Sequence, residues 1–233
     1  MAMLLPQMMA AACRDMLFET TSYSVCEVGP DADLRLFLSG PDGPLQSFAA
    51  IDAMLEGAGE TLGFAMNAGM YHRDLAPVGL FVAGGEEIAP LVTRDGPGNF
   101  GLLPNGVFCI AEGYRVIESR NFAAEKPMCA YATQSGPMLV IKGKLHPRFL
   151  RNSDSLKIRN GVGVSRDGSR AIFVISNAAV NFHSFARFFR DALGVSDALY
   201  LDGSISRLYA PELGRDDAGF PMGPMVGLVL PQG

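Results

Sequence analysis

The stretch Gly161-Val-Gly-Val-Ser-Arg-Asp-Gly-Ser-Arg-Ala-Ile-Phe-Val-Ile-Ser176 contains the strongest short-range structural signal in the chain. Two apolar runs, residues 161–165 and 171–176, lie on either side of Arg166-Asp167-Gly168. An Asp-Gly pair between two strand-like runs is typical of a β-hairpin turn. The stretch therefore predicts two adjacent antiparallel strands, and it favours a sheet built from short connections.

A helix is predicted directly after this hairpin, over residues 182–193. Its apolar residues recur at helical spacing, and Asn181 is well placed to cap its first turn. The helix is expected to end at Leu193-Gly194, because glycine commonly follows the last helical turn. The residues expected on its buried face are Phe182, Phe185, Phe189 and Leu193.

A strand over residues 197–201 is predicted next, and it runs straight into Asp202-Gly203-Ser204. Asp202 is therefore expected where a strand leaves the core, with Gly203 allowing a sharp turn or close approach to a ligand. A carboxylate on a rigid strand end is well placed for proton transfer. The alternative is a simple turn that ends the strand, since Asp-Gly is a common turn pair.

The rest of the chain repeats this pattern of strands and turns. Residues 47–55 have the spacing of a second helix, and residues 62–66 have that of a buried strand. Paired strands are expected over residues 21–28 with 33–38, 78–82 with 87–92, and 107–110 with 114–117, and residues 138–141 turn at Lys142-Gly143. The prediction is an α+β fold: a curved, mostly antiparallel sheet with two main helices packed on it.

Composition supports one folded domain. Of the 233 residues, 48% are hydrophobic and 18% are charged, which is enough apolar material for a sizeable core. No linker, repeat or charge run divides the chain, so we expect a tail or signal-peptide remnant over residues 1–20 and one domain over 21–233. The net charge of −5, without a basic stripe, argues against a nucleic-acid partner. No apolar run reaches the roughly 20 residues that cross a membrane.

The four cysteines and the apolar N-terminus bear on the cellular compartment. No cysteine pair has the spacing of a zinc site, which leaves buried thiols or disulfides. We favour a Cys13–Cys26 disulfide in a periplasmic or secreted protein, with Cys109 and Cys129 as a second pair to test. A cytoplasmic protein with free thiols is the alternative.

Several common motifs are absent or incomplete. Residues 96–101 match G-x-G-x-x-G, but the strand expected at Val107 leaves no room for the helix that would bind a pyrophosphate. The sequence has no G-x-S-x-G, and its three histidines are dispersed, so a His-ligated metal is not expected. The sequence predicts no metal and no cofactor.

Polar residues embedded in apolar or glycine-rich strands are the candidate site residues. Each also fits a turn residue that satisfies main-chain groups. Arg159 differs, because an arginine that opens a buried strand needs an anionic partner, either Asp202 or a ligand phosphate. The other candidates of this kind are Asn67, Gln134, Ser135, Asn160 and Asn177.

Five motifs in order resemble the phosphodiester glycosidase domain, the family of N-acetylglucosamine-1-phosphodiester α-N-acetylglucosaminidase. They are Ala65-Met-Asn-Ala-Gly-Met-Tyr71, Gly98-Asn-Phe100 with Pro104-Asn-Gly-Val-Phe108, Thr133-Gln-Ser-Gly-Pro-Met-Leu-Val140, Arg159-Asn-Gly-Val-Gly-Val164 and Leu201-Asp-Gly-Ser204. The resemblance covers about residues 21–230 and is closest to exported bacterial members of unassigned substrate. Where the family commonly has Leu-Asp-Gly-Gly-Gly-Ser, Ser204 and Ile205 replace glycines here.

The resemblance implies a hydrolase that cleaves a sugar-1-phosphodiester to free sugar and a phosphomonoester. Arg159, with N–H groups near Gly136 and Gly203, is expected to hold the phosphate, and Asp202 is expected to act as general base or to stabilise an oxocarbenium-like sugar. The expected substrate-binding residues are Asn67, Tyr71, Gln134, Ser135, Gly136, Asn160, Asn177, Gly203 and Ser204. The partner is then a small-molecule or glycan phosphodiester.

Two other functions remain open from the sequence. The first is a non-catalytic module that binds phosphate-bearing cell-envelope glycopolymers, which would have no use for a pocket carboxylate. The second is a metal-dependent phosphodiesterase that cleaves the P–O bond. Asp202 favours the glycosidase over the binding module.

Overall fold

A computed structural model describes residues 11–202 and 205–232. The largest sheet has seven strands, all in antiparallel pairs, and the predicted hairpin lies at its centre. In spatial order the strands are β1 (Ala11–Phe18), β2 (Thr21–Val28), β15 (Ala171–Ser176), β14 (Asn160–Val164), β16 (Asp197–Asp202), β12 (Met138–Ile141) and β13 (Lys144–Leu145).

Two five-stranded antiparallel sheets and one small hairpin complete the β structure. The first of these sheets contains β10 (Tyr114–Glu118), β9 (Gly106–Ile110), β11 (Tyr131–Ser135), β7 (Phe81–Ala83) and β8 (Glu86–Ala89). The second contains β18 (Arg215–Asp216), β17 (Leu208–Ala210), β6 (Glu60–Asn67), β19 (Met225–Pro231) and β3 (Leu34–Phe37). The small hairpin is β4 (Ser39–Gly40) with β5 (Gly43–Pro44).

Three helices pack on these sheets: α1 (Phe48–Glu56), α2 (Ser119–Glu125) and α3 (Phe182–Arg187). The side chain of Ser47 caps α1 by accepting from Ala50 N, and Asn181 caps α3 by accepting from Ser184 N at 2.9 Å, as predicted. From Phe188 to Ala192 the chain continues as a π-helix. A 3₁₀ turn follows β17 at Pro211–Leu213.

The core forms where the three large sheets face one another. Phe173 of the seven-stranded sheet contacts one ring from each of the other sheets, with centroids 5.4 Å from Phe64 and 5.7 Å from Phe108. A second apolar layer lies between the seven-stranded sheet and α3, where the rings of Tyr23 and Phe188 stack at 4.0 Å. Burying these aromatic rings supplies much of the driving force for folding.

The α+β class and the mainly antiparallel strands are confirmed, and three details need correction. The structure has three large sheets instead of one. Strands β2 and β3, expected to pair with each other, lie in different sheets: β2 pairs with β1 and β15, and β3 pairs with β19. The short helix α2 adds a third helix to the two predicted, because seven residues are too few for a clear apolar period.

Part of the segment expected as a tail is a strand of the sheet. Residues 11–18 form β1, which pairs with β2 along its whole length. Residues 1–10 lie outside the described part of the chain. Within residues 11–202 and 205–232, no helix is long and apolar enough to cross a membrane.

Both cysteine pairs form disulfides, Cys13–Cys26 and Cys109–Cys129. Cys13 and Cys26 are direct partners in the β1–β2 register, so the bond ties the edge strand to the sheet. The two residues are 13 positions apart. Closing a loop of about 15 residues lowers the conformational entropy of the unfolded chain, which raises the free energy of unfolding by about 3 kcal/mol.

We expect the double variant Cys13→Ser with Cys26→Ser to lose about 3 kcal/mol of unfolding free energy. Equilibrium denaturation in guanidinium chloride measures the difference, and the wild type after reduction and alkylation provides the control. A double variant with an unchanged midpoint and slope would show that the bond does not stabilise the native sheet.

Candidate active site

A buried polar junction lies where strands of two different sheets end. Asn67 ends β6, Asn160 begins β14, and Asp202 ends β16 opposite Asn160. Both asparagines are fully buried, and Asp202 is 7% exposed. Residues far apart in sequence, each predicted to belong to the site, are therefore brought together here.

The two asparagine amides anchor the segment that follows Asp202 at both of its ends. Asn160 Oδ1 accepts from Asp202 N at 2.9 Å, and Asn67 Oδ1 accepts from Arg207 N at 2.9 Å. The amides also bind each other, since Asn160 Nδ2 donates to Asn67 Oδ1 at 3.0 Å and to the Asn67 carbonyl at 2.8 Å. Buried, fully satisfied amide networks of this kind hold a single backbone geometry.

Ser135 and Gly136 lie beside the same strand end. Ser135 Oγ, fully buried, donates to the Leu201 carbonyl at 2.7 Å. A Cβ at Gly136 would lie 2.6 Å from Asn105 Cβ, so only glycine permits this close approach of the two backbone segments. Ser135 therefore positions the backbone next to Asp202, and Gly136 allows the packing around it.

Tyr71 shares the electrostatic surroundings of Asp202. Its hydroxyl donates to the Pro221 carbonyl at 2.8 Å. Burial raises the pKa of the Tyr71 phenol, the negative charge of Asp202 raises it further, and the positive charge of Arg207 opposes both effects. Tyr71 thus stays protonated at neutral pH.

Gln134 lies away from this junction and is occupied by structural hydrogen bonds. Its Oε1 accepts from Leu80 N at 3.1 Å and from Val92 N at 3.0 Å. Its Nε2 donates to the Val92 carbonyl and to Ser119 Oγ. In the structure Gln134 holds Val92 against β11, and its role in binding substrate stays a prediction.

Arg159 also has a structural environment, which differs from its predicted role. The residue is 1% exposed, and its guanidinium carbon lies 3.7 Å from the centre of the Phe182 ring. Nε donates to the Val180 carbonyl at 2.8 Å, Nη2 to the Ser155 carbonyl at 2.9 Å, and Nη1 to the Tyr200 hydroxyl at 3.2 Å.

These contacts place the Arg159 side chain on the α3 side of the seven-stranded sheet. Its neighbour Asn160 points the other way, toward Asn67, because successive side chains on a strand alternate between faces. Desolvation lowers the pKa of Arg159, while the Tyr200 hydroxyl opposes that shift. Carbonyl oxygens and aromatic rings of the chain surround the guanidinium, and the role of Arg159 in holding a substrate phosphate stays a prediction.

Asn177 belongs to a different polar group, at the rim of an open cleft. Its Oδ1 accepts from Arg215 Nη1 at 2.6 Å, and its Nδ2 donates to Ser22 Oγ at 3.1 Å. The cleft has a volume of about 930 Å³, and Ser206, Arg207 and Phe220 also line it. It begins beside the segment that follows Asp202.

Gly203 and Ser204, also predicted to bind substrate, lie outside the described residues. Ser206 and Arg207, which follow after Ile205, are not among the predicted site residues. Ser206 Oγ donates to the Asp202 carbonyl at 2.7 Å and so braces the turn. Arg207 gave no signal in the sequence, because its burial depends on the packing of Gly219 and on the hydrogen bond from its N–H to Asn67. Within the described ranges, no group of three His, Cys, Asp or Glu side chains could hold a metal ion.

The fold and this junction define the class of protein. Residues 60–219 match the family model described as phosphodiester glycosidase, which covers most of the chain. The protein belongs to the phosphodiester glycosidase family.

Two known proteins illustrate this membership. Over 146 residues the chain is 41% identical to "uncharacterized protein YigE" of Escherichia coli (strain K12); the match covers 62% of this chain and 57% of YigE. The solved catalytic domain of zebrafish N-acetylglucosamine-1-phosphodiester alpha-N-acetylglucosaminidase, auto-inhibited by its pro-peptide, shares the fold with a TM-score of 0.66. That likeness covers 94% of this chain and 81% of the zebrafish chain at 14% identity.

Proposed function

We propose that this protein hydrolyses the glycosidic bond of a sugar-1-phosphodiester, releasing free sugar and a phosphomonoester. The observation that supports this most is the anchoring of the Asp202 segment at both ends by Asn67 and Asn160. Such anchoring holds the backbone of Asp202 in one position before substrate arrives, and a preorganised catalytic group is what efficient catalysis requires.

In this proposal Asp202 acts on the sugar. Its carboxylate either takes a proton from the attacking water or stabilises positive charge on the oxocarbenium-like sugar in the transition state. A phosphate is a good leaving group, so strong acid assistance to its departure is not needed. In this proposal the ring of Tyr71, whose pKa the charge of Asp202 raises, contacts the sugar ring.

The test is direct hydrolysis of a methyl phosphodiester of N-acetylglucosamine 1-phosphate in ¹⁸O-labelled water. We expect free sugar labelled at the anomeric oxygen and unlabelled methyl phosphate, with a rate that survives exhaustive chelation. Label on phosphate together with loss of activity on chelation would support a metal-dependent phosphodiesterase instead. Saturable binding without turnover would support a non-catalytic module for phosphate-bearing glycopolymers.

We also propose that the protein works in an oxidising compartment, either the periplasm or outside the cell. Two disulfides support this, because such bonds persist mainly where thiols are not kept reduced. Intact mass before and after alkylation, on protein recovered from a periplasmic fraction, tests the proposal. Four alkylated cysteines without prior reduction would contradict it.

A further inference from the structure

Arg207 is a buried cation whose hydrogen-bonding groups are left unused. It is 8% exposed, and its main-chain N–H is held by Asn67. Within residues 11–202 and 205–232, its guanidinium makes no hydrogen bond and no ion pair. The other buried arginine, Arg159, makes three side-chain hydrogen bonds. Burying a cation without partners is costly, and since the described residues supply no anion to this guanidinium, the position favours an anionic ligand.

The lack of a side chain at Gly219 leaves the space that this guanidinium occupies. Gly219 has a φ of +147°, and a Cβ there would lie 2.8 Å from Arg207 Cζ and closer still to Nη2. Only glycine lets the 218–220 backbone pass so close to the planar group. The guanidinium is thereby held against one wall of the 930 Å³ cleft, with Ser206, Asn177 and Phe220 among the other lining residues.

Among the described residues that line the cleft, Arg207 is the cation left available to a ligand. Arg215 also lines it, but Asp217 binds that side chain at 2.8 Å, and Arg215 also donates to Asn177. Asp216 is exposed at the rim of the cleft. Its negative charge lowers the net positive charge of the cleft and so weakens the binding of anions that make no specific contact. A planar guanidinium offers paired N–H donors that fit two oxygens of one phosphate.

We propose that Arg207 is the phosphate-binding residue of this cleft and holds the phosphodiester of the substrate, an inference that rests on the function proposed above. Asp202 and Arg207 stand at the two anchored ends of one short segment. A substrate whose phosphate binds Arg207 would therefore place its sugar carbon on the side of Asp202 and Tyr71. The aglycone would extend along the cleft toward Phe220.

The test is calorimetric titration of the purified protein with inorganic phosphate and, separately, with the methyl phosphodiester of N-acetylglucosamine 1-phosphate. We expect Arg207→Gln to weaken both by about 10- to 100-fold, the worth of a charge-assisted hydrogen bond. Arg166→Gln is the matched control, since Arg166 lies in the exposed turn between β14 and β15, and it should change neither dissociation constant by more than about twofold.

A second variant protects the test against a folding defect. Gly219→Ala keeps every charge but displaces the guanidinium, and it should also weaken phosphate binding. Failure of the wild type to bind phosphate, or unchanged binding by folded Arg207→Gln, would overturn the inference. Phosphate binding that depends on Arg207 but without hydrolysis would contradict the proposed function alone. Hydrolysis with an unchanged KM in Arg207→Gln would contradict this inference alone.

Discussion

Replacing Asp202 by Asn is expected to lower turnover of a sugar-1-phosphodiester by about 10²–10⁴-fold, while substrate still binds. The substitution keeps the shape of the side chain but removes its charge and its basicity. Because Asn160 holds residue 202 through the main-chain N–H, the backbone position should survive the change. Steady-state kinetics on the methyl phosphodiester of N-acetylglucosamine 1-phosphate measures the effect.

Asp42→Asn is the matched control, since Asp42 is an exposed carboxylate in the β4–β5 hairpin. It should leave both turnover and KM unchanged. Thermal melts establish that each variant is folded. An Asp202→Asn protein that is well folded and turns over within a few-fold of the wild type would show that this carboxylate only ends a strand.

Replacing Arg159 by Met should destabilise the protein by about 2–4 kcal/mol, with KM in the folded protein nearly unchanged. Methionine fills much of the space over the Phe182 ring, but the hydrogen bonds from Arg159 to Val180, Ser155 and Tyr200 are lost. Losing these charge-assisted hydrogen bonds accounts for most of the expected cost. Denaturant unfolding and steady-state kinetics on the same preparation separate the two readouts.

Arg166→Met provides the control, because it removes the same charge from an exposed turn and should alter neither stability nor KM. The opposite result for Arg159→Met would contradict this prediction. Full stability with a tenfold higher KM would show that the guanidinium binds substrate phosphate. For Arg159→Lys we expect an intermediate loss of stability. Lysine keeps the charge but cannot reproduce the planar stacking on Phe182 or the geometry of the three hydrogen bonds.

Features that depend on neighbouring residues were predictable from the sequence. The 161–176 hairpin follows from its Asp-Gly turn, and the α3 N-cap follows from Asn181. The Cys13–Cys26 bond joins cysteines of adjacent strands and was also favoured. Each of these depends on local geometry, which the order of residues in one short stretch determines.

Features that depend on register and distant packing were not predictable. Strands β2 and β3 follow one another in sequence but lie in different sheets, because each finds a better-matched partner far along the chain. Arg159 and Asn160 are consecutive residues, and their side chains lie on opposite faces of the sheet. Which side chain lies on which face depends on the strand register, which neither composition nor a motif determines. Arg207 gains its importance only through Gly219 and Asn67, both distant in sequence.

The anchoring by Asn67 and Asn160 has a consequence for how this family can diversify. A short segment fastened at both ends by side chains outside itself can exchange its internal residues and still present the same carboxylate. For this chain, substitutions at Ile205, inside that segment, are expected to leave the hydrogen bonds of Asp202 N and Arg207 N to the two asparagines in place.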